Sequence, residues 1–270
     1  MTDASPRAEQ TDSASGVLET GVPNLDRVLG GGLQRGAIVL VVGAPGAGKT
    51  MLGQQIGFHR ARRGEPVLYL TGYSETHDKL VAHNRGLRFF DPALLGRLVQ
   101  LGSLTDLLGQ GAAEAEKAVL RTARQQGTRL VVLDGFRGLR RLARVESGGD
   151  ADGGRFLYQL GAQLALLGAT TLVLVEGDPD DTAQLPELTV GDVVIGLRRA
   201  LLGMRQRRLL DVRKVRGAAP LAGLHAYELG SDGFTVWPRL EAWAAAAQPA
   251  WSDQQAPFGV RALGELLHGA

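Results

Sequence analysis

The sequence has no cysteine, only four lysines and few aromatic residues. Without cysteine the chain can form neither disulfides nor a thiolate metal site. Its formal net charge is only +2, so the overall charge does not favour nucleic acid or an acidic membrane as a partner. No apolar run is long enough to cross a bilayer, and the polar start of the chain lacks the apolar core of a secretion signal. These absences predict a soluble, cytoplasmic protein that does not bind membranes.

The chain divides by composition into a tail, one domain and a second tail. Residues 1–16 are rich in serine, threonine and aspartate, and we expect them to be a disordered tail. Residues 17–240 alternate short apolar runs with helical stretches, which indicates one domain with a mostly parallel sheet. Residues 241–270 are predicted to form a linker and a short C-terminal helix.

The apolar runs and the stretches between them predict an α/β fold. Several runs are apolar without alternation, as in strands that are covered on both faces. The predicted strands are Ile38–Val42, Val67–Thr71, Leu98–Leu101, Leu130–Asp134, Thr171–Glu176 and Val193–Leu197. The predicted helices are Lys49–Arg63, Ala112–Gln126 and Arg155–Leu167. Near the C-terminus, Arg207–Val215 and Phe234–Trp237 are predicted to be antiparallel strands appended to the edge of the mostly parallel, helix-flanked sheet.

A glycine-rich loop follows the first predicted strand and opens a helix. Gly43, Gly48, Lys49 and Thr50 complete the pattern G-x-x-x-x-G-K-[ST]. Glycines let the backbone turn its N–H groups toward an anion, and the helix start presents the positive end of its dipole to the same anion. Lys49 can then reach the β- and γ-phosphates, and the Thr50 hydroxyl can hold Mg²⁺. The residues expected to bind the nucleotide are Gly43, Ala44, Pro45, Gly46, Ala47, Gly48, Lys49, Thr50 and Met51.

Asp134 ends a second apolar strand, Leu130–Asp134. This position places its carboxylate at the carboxyl edge of the sheet, where ligands of open α/β sheets bind. Many buried strands end in aspartate, so the pattern alone is weak. Combined with a complete phosphate loop, it predicts that Asp134 holds Mg²⁺ through water.

Six short stretches around the loop form a more specific pattern than the loop alone. They are TGVPNLD (20–26), LGGGL (29–33), RG (35–36), GEPVLY (64–69), LLGATT (166–171) and KVRG (214–217). Together they resemble a single domain of the KaiC-type ATPases of the RecA superfamily. The resemblance covers about Gly16 to Pro238. It implies a RecA-like P-loop fold and a homo-oligomeric ring, often hexameric, with ATP between neighbouring subunits.

Lys214 and Arg216 match the family's lysine and arginine that reach the γ-phosphate bound by the neighbouring subunit. Two residues apart on a strand, they project from the same face. Their charges could neutralise the γ-phosphate in the transition state, as an arginine finger does. The alternative is a solvated basic edge strand, since Arg205, Arg207, Arg208 and Arg213 are near in sequence.

The stretch after the second predicted strand departs from the family. The family has adjacent glutamates that polarise the attacking water, whereas this chain has Ser74 and Glu75, after a one-residue insertion. Glu75 could still position the water or act as the base. Its alternative role is to cap a helix that starts near Asp78. One missing glutamate predicts slow hydrolysis.

The sequence therefore favours an ATPase that acts as a nucleotide-dependent oligomeric switch and signals to a protein partner. One alternative is an ATP-binding interaction module with little turnover. The other is a RecA-like DNA-binding ATPase. The second candidate DNA loop, Gly177–Asp192, carries five carboxylates and no lysine or arginine, which disfavours phosphate-backbone binding.

Overall fold

A computed structural model describes residues 16–72, 77–135, 152–181 and 185–241. Its internal contacts divide the chain into two units, Met1–Arg239 and Leu240–Ala270. The first unit holds every strand and helix discussed below. The predicted tail to residue 15, Glu75 and the predicted C-terminal helix lie outside the described residues. The predicted domain limits remain predictions.

Among the described residues, nine strands form the main sheet. Numbered along the chain with the ranges given below, they lie in the order β11-β10-β9-β8-β3-β7-β6-β4-β5. The six parallel strands are β3 (Ile38–Gly43), β4 (Val67–Thr71), β5 (Val99–Ser103), β6 (Leu130–Asp134), β7 (Thr170–Glu176) and β8 (Val193–Leu202). Three antiparallel strands extend the edge beyond β8: β9 (Arg205–Val215), β10 (His225–Gly230) and β11 (Gly233–Trp237). A separate pair joins β1 (Val17–Leu18) to β2 (Leu33–Gln34).

Helices pack on both faces of the parallel part of the sheet. The helices of the described residues are α1 (Leu25–Val28), α2 (Lys49–Arg62), α3 (His77–Asn84), α4 (Leu104–Leu108), α5 (Ala112–Gln126) and α6 (Asp152–Leu166), with 3₁₀ turns at Pro92–Leu94 and Pro186–Thr189. One core layer packs beneath α2 and the other beneath α5 and α6. Among the helices that the structure describes, none has the length and apolar character needed to span a bilayer.

The predicted fold class is confirmed. Every residue of β3 is buried, as expected for a central strand with helices on both faces. Helix α5 buries Ala115, Val119 and Ala123, a four-residue spacing that keeps one face on the sheet. Several elements go beyond the prediction. Strand β8 continues to Leu202 because its second half pairs with β9 in a long hairpin, and β10 was not predicted. The short elements β1, β2, α1 and α4 were not predicted either.

The parallel strands give the sheet two functionally different edges. The carboxyl edge holds the loop after β3 and the ends of β6 and β7. Asp192 and Arg216 lie at the opposite, amino edge, where an Asp192 carboxylate oxygen accepts the backbone N–H of Ile38. Ile38 and Gly43 are five steps apart along β3, or about 17 Å at the usual rise of a strand.

Candidate nucleotide-binding site

The loop between β3 and α2 has the backbone of an anion site. Gly46 and Gly48 adopt φ values of 73° and 95°, a region that side chains with a Cβ rarely enter. Gly48 immediately precedes α2, and no side chain caps the N–H groups of this helix start. The start of α2 therefore combines N–H groups that no side chain caps with the positive end of a helix dipole.

Lys49 folds back across this loop. Its Nζ donates hydrogen bonds to Gly43 O (2.8 Å) and Ala44 O (3.1 Å). Burial lowers the pKa of Lys49, and the charge of Arg199 adds to that effect, whereas Glu176 and Asp134 act in the opposite direction. The cation thus lies within electrostatic reach of two carboxylates at the carboxyl edge.

Asp134 and Thr50 occupy the positions that the sequence predicts for a magnesium site. Asp134 is the last residue of β6 and pairs in register with Thr71 of β4. Its Oδ2 accepts a hydrogen bond from Tyr69 Oη at 3.0 Å. Thr50 is exposed in the first turn of α2, directly after Lys49. No group of three or more potential metal-ligating side chains occurs among the described residues. Mg²⁺ in nucleotide sites commonly takes its other ligands from water and substrate phosphates, so one or two protein groups are enough for such a site.

Glu176 is a site residue that the sequence analysis missed. It ends β7 and pairs in register with Gly43, the first residue of the loop motif. Among the charges acting on Lys49, that of Glu176 has the largest effect. The available signal was the one used for Asp134, since the predicted strand Thr171–Glu176 also ends in a carboxylate.

The appended strands also reach the loop, which the sequence did not indicate. Arg208 of β9 donates from Nη1 to Gly46 O at 2.9 Å, and Tyr227 of β10 donates from Oη to Ala47 O at 2.6 Å. A Cβ placed on Gly46 would lie 3.5 Å from Nη1 of Arg199, on β8. Burial raises the pKa of Tyr227, and the nearby charges of Arg208 and Arg199 oppose this rise. Two arginines of the same chain therefore flank the phosphate loop.

A cavity of about 510 Å³ opens beside Ala44. It lies between the segment that follows β7 and the β8–β9 hairpin, and its lining includes Arg199 and Gln206. This volume lies within the usual range for small-molecule sites. The loop, Lys49 and the cavity are contiguous through Ala44, so a ligand larger than phosphate has room next to the loop.

Lys214 and Arg216 lie at the amino edge, away from the loop of their own chain. Lys214 pairs in register with Val194 and its Nζ donates to Thr189 O at 3.4 Å. Arg216 Nε lies 3.3 Å from Asp192 Oδ1. The structure therefore does not bring these two residues together with Lys49 inside one chain, and their use toward a neighbour stays a prediction.

Among the described residues, two of the five carboxylates in the acidic loop Gly177–Asp192 form ion pairs with arginines. Asp180 pairs with Arg198 and Arg213 of the β8–β9 hairpin, and Asp192 pairs with Arg216. The Glu187 side chain is buried. The formal charge of this loop is thus a weaker argument against DNA binding than the sequence suggests. Most of the other candidate loop, Gly135–Arg155, lies outside the described residues.

Comparison with known proteins gives relatives of two kinds. The circadian clock oscillator protein KaiC of Rippkaea orientalis is 26% identical over 284 residues, which include all of this chain but 52% of the relative. A UPF0273 protein of Thermotoga maritima is 27% identical, and the match includes 82% of this chain and 96% of the relative. The chain thus spans about half the length of the clock oscillator proteins and nearly all of the UPF0273 protein.

A solved structure supports the fold, and a family model supports the membership. The KaiC-like protein of Pyrococcus horikoshii superposes with a TM-score of 0.71 at 20% identity, over 82% of this chain and 99% of that one. The KaiC ATPase model matches residues 18–241, which include the phosphate loop, Asp134 and the strand with Lys214 and Arg216. On this match the chain belongs to the KaiC family of ATPases.

Proposed function

We propose that the protein binds ATP with Mg²⁺, hydrolyses it slowly, and acts as a nucleotide-dependent oligomeric switch that signals to a protein partner. The observation that carries the proposal is the carboxyl edge itself. There Lys49 lies across the phosphate loop under the influence of Glu176 and Asp134, with Arg199 close by. This combination suits a triphosphate with a divalent ion, because it joins cations for the phosphates to carboxylates for the metal.

The proposed contacts follow from the positions of the side chains. Backbone N–H groups of the loop and of the first turn of α2 would face the phosphates, except at Pro45, which has no N–H, and at Ala47, whose N–H donates to Ala44 O. Lys49 would exchange its hydrogen bonds to Gly43 O and Ala44 O for bonds to the β- and γ-phosphates. Thr50 and Asp134 would hold Mg²⁺, the aspartate through water. When bound, the ion would neutralise negative charge that develops on the phosphates during transfer.

The attacking water needs a carboxylate to orient it, and the chain offers two. Glu75 is the residue suggested by the family pattern. Glu176 is the alternative, because it ends the strand beside Gly43 and acts on Lys49. Either carboxylate could accept the water proton during attack on the γ-phosphate, as general bases do.

A shared site between copies explains where Lys214 and Arg216 act. These residues lie at the amino edge of the sheet, and β3 separates that edge from the loop by about 17 Å, the rise from Ile38 to Gly43. A head-to-tail neighbour would bring its amino edge to this carboxyl edge, and such contacts close into rings when the rotation permits. We propose a hexameric ring with ATP at each seam. ATP that binds only across an assembled seam would stabilise the ring by mass action.

The proposed function is tested by measuring ATP binding and particle mass together. Native mass spectrometry of the 28.6 kDa chain should show assembly into a ring of about six copies with ATP and Mg²⁺, and smaller species without nucleotide. Lys49→Ala should lose tight ATP binding and ATP-dependent assembly while keeping the circular dichroism spectrum of the wild type. ATP affinity unchanged in Lys49→Ala, by calorimetry, would refute the site.

An interaction module with little turnover is the second candidate function. The replacement of one of the paired glutamates by Ser74 favours it. Single-turnover hydrolysis by assembled wild-type protein distinguishes the two functions: release of phosphate supports the ATPase, and ATP that stays intact while the ring persists supports the module. Salt-dependent DNA titration tests the third alternative, since phosphate-backbone binding weakens steeply with salt.

A further inference from the structure

A buried tyrosine contacts the predicted metal-binding aspartate. Tyr69 lies on β4 with a side chain only 2% exposed, and its hydroxyl donates to Asp134 Oδ2 at 3.0 Å. In register Tyr69 faces Val132, two residues before Asp134 on β6, so its ring reaches along the sheet toward the carboxylate. A phenylalanine would fill the core equally well. The hydroxyl therefore adds a specific contact to a carboxylate at the site edge rather than packing.

The backbone around Asp134 is also fixed. Gly72 N–H donates to Asp134 O at 2.6 Å. A Cβ on Gly72 would lie 2.8 Å from Gly135 O, so the ends of β4 and β6 approach closely. These contacts fix the main chain but not the side-chain torsion angles of Asp134. The hydrogen bond from Tyr69 restricts the rotation of its carboxylate.

We propose that Tyr69 is a positioning residue for the Mg²⁺ site: its hydroxyl holds Oδ2 of Asp134 and so fixes the orientation of the carboxylate toward a metal-bound water. The inference rests on the proposed binding of Mg²⁺–ATP. Mg²⁺ demands near-ideal octahedral geometry, so the orientation of a carboxylate that binds its water matters. Loss of an outer partner of this kind typically costs about 10- to 100-fold in metal affinity.

The test replaces Tyr69 by phenylalanine, which keeps the ring and removes the hydroxyl. Calorimetric ATP titrations at a series of Mg²⁺ concentrations give the Mg²⁺ concentration for half-maximal enhancement of ATP affinity. We expect Tyr69→Phe to raise this concentration by about tenfold, because the aspartate contacts the ion through water. ATP affinity without Mg²⁺ should not change, since the removed hydroxyl donates to Asp134 rather than to the phosphate loop.

Tyr227→Phe is the matched control. It removes another phenol hydroxyl from a buried tyrosine, one that donates to Ala47 O in the loop rather than to Asp134. We expect this variant to weaken ATP binding to the same extent with and without Mg²⁺, so that the half-maximal Mg²⁺ concentration stays at the wild-type value. Thermal unfolding of both variants measures any general loss of stability.

A second comparison separates positioning from a structural role. In an Asp134→Ala background there is no carboxylate to orient, so adding Tyr69→Phe should leave the Mg²⁺ dependence unchanged. Two results would overturn the role of Tyr69 but not the metal site. One is a half-maximal Mg²⁺ concentration that Tyr69→Phe does not change. The other is a change in that concentration that is equally large with Asp134 and with Asp134→Ala. Wild-type protein that binds ATP equally well with and without Mg²⁺ would overturn both this inference and the proposed metal site.

Discussion

Lys49 combines partial burial with close carboxylates, and the balance between them controls its charge. Burial lowers its pKa below the ordinary value of 10.5, and among the described residues Glu176 and Asp134 raise it again. A protonated lysine in such a partly desolvated position attracts phosphate more strongly than one in water. The same desolvation makes the proton easier to lose as pH rises.

The first prediction is an alkaline loss of ATP affinity that begins below pH 10.5, the ordinary pKa of lysine. The protonated form binds the phosphates, so affinity is retained below the lowered pKa and falls by up to about tenfold per pH unit above it. Calorimetry from neutral to alkaline pH measures the profile. Lys49→Arg is the control, because a guanidinium stays charged throughout this range. Parallel profiles for wild type and Lys49→Arg would contradict the prediction.

The second prediction concerns Glu176→Gln. Removing the carboxylate charge takes away the largest effect that raises the pKa of Lys49, so the alkaline loss of ATP affinity should begin at a lower pH. Glu114→Gln is the control, because Glu114 is an exposed residue of α5 on the other face of the sheet. A profile for Glu176→Gln that overlies the wild type would place its charge too far from Lys49 to matter.

Single-turnover hydrolysis by Glu75→Gln and by Glu176→Gln compares the two candidate bases. Positioned acid–base groups typically contribute about 100- to 10,000-fold. We expect Glu75→Gln or Glu176→Gln, whichever residue is the base, to lose about 100-fold in the rate of phosphate release while ATP affinity is kept. Rates close to wild type in both variants would show that the base is neither carboxylate.

At the scale of elements, helix α2 is fixed at both ends by different interactions. Its start forms the phosphate loop. Near its end Arg60, with a fully buried side chain, donates to Glu65 through Nε (2.9 Å) and Nη2 (2.5 Å). Arg35, just after β2, donates to the same carboxylate at 2.9 Å. Glu65 therefore connects α2, the start of β4 and the segment after β2. These contacts hold α2 in place next to the loop.

The third prediction is that Glu65→Gln destabilises the fold by about 2 kcal/mol at neutral pH, because it removes the carboxylate charge that pairs with the buried guanidinium of Arg60. Burial raises the pKa of Glu65, but the hydrogen bonds and charges of Arg60 and Arg35 lower it further, to a net value below 4.5. A lowered pKa in the folded state contributes stability above the unfolded value and loses it as pH falls through the folded value. The difference between wild type and variant should therefore shrink in acid.

Urea unfolding at neutral and acid pH measures this difference. The control is again Glu114→Gln, which removes one partner of an exposed ion pair with Lys117 and should change stability little. Equal stability of wild type and Glu65→Gln at neutral pH would show that the network does not stabilise the fold.

The same elements show how far the sequence predicts this molecule. The buried strands β3, β4, β6 and β7 were predictable because their residues are apolar almost without interruption, and Asp134 because it ends one of them after a complete loop motif. Arg199 and Arg208 were not predictable as site residues. In an arginine-rich strand the local pattern cannot tell a solvated edge from a face over the loop. That choice depends on the long β8–β9 pairing, which sets Arg199 opposite Arg208.

Tyr69 was hidden for a related reason. Its sequence neighbourhood predicts a buried strand, and a tyrosine fits that environment by its ring alone. The partner of its hydroxyl lies 65 residues away, and only the register between β4 and β6 brings the two together. Contacts that depend on strand order in this way cannot be obtained from local periodicity.

At the scale of the whole ATPase unit, one strand connects the two edges of the sheet. Strand β9 carries Arg208, which contacts the phosphate loop of its own chain, and Lys214, which lies at the amino edge; Arg216 follows the end of the strand at the same edge. If the neighbour uses that edge, a single strand and the residue after it contribute to two nucleotide sites. The loop contact of one site and the finger residues of the next are then joined through one strand.

The last prediction is that two inactive variants restore activity when mixed. Lys49→Ala subunits lack the phosphate-binding half of a site, and Arg216→Ala subunits lack the half that acts on the neighbour. Arg216 is 63% exposed and its partner Asp192 also accepts the N–H of Ile38, so Arg216→Ala should fold normally. A mixed ring contains some seams at which an intact loop meets an intact Arg216, and those seams should hydrolyse ATP.

Mixing at different ratios gives the quantitative form of this test. If subunits combine at random and seams act independently, an equal mixture has one intact seam in about four, because each intact seam needs one intact loop and one intact finger in a head-to-tail arrangement. Native mass spectrometry must first show that the two variants assemble together. Co-assembled rings without recovered hydrolysis would contradict the shared site. Full activity of Arg216→Ala alone would do the same, because the in-chain Arg199 and Arg208 would then suffice for the γ-phosphate.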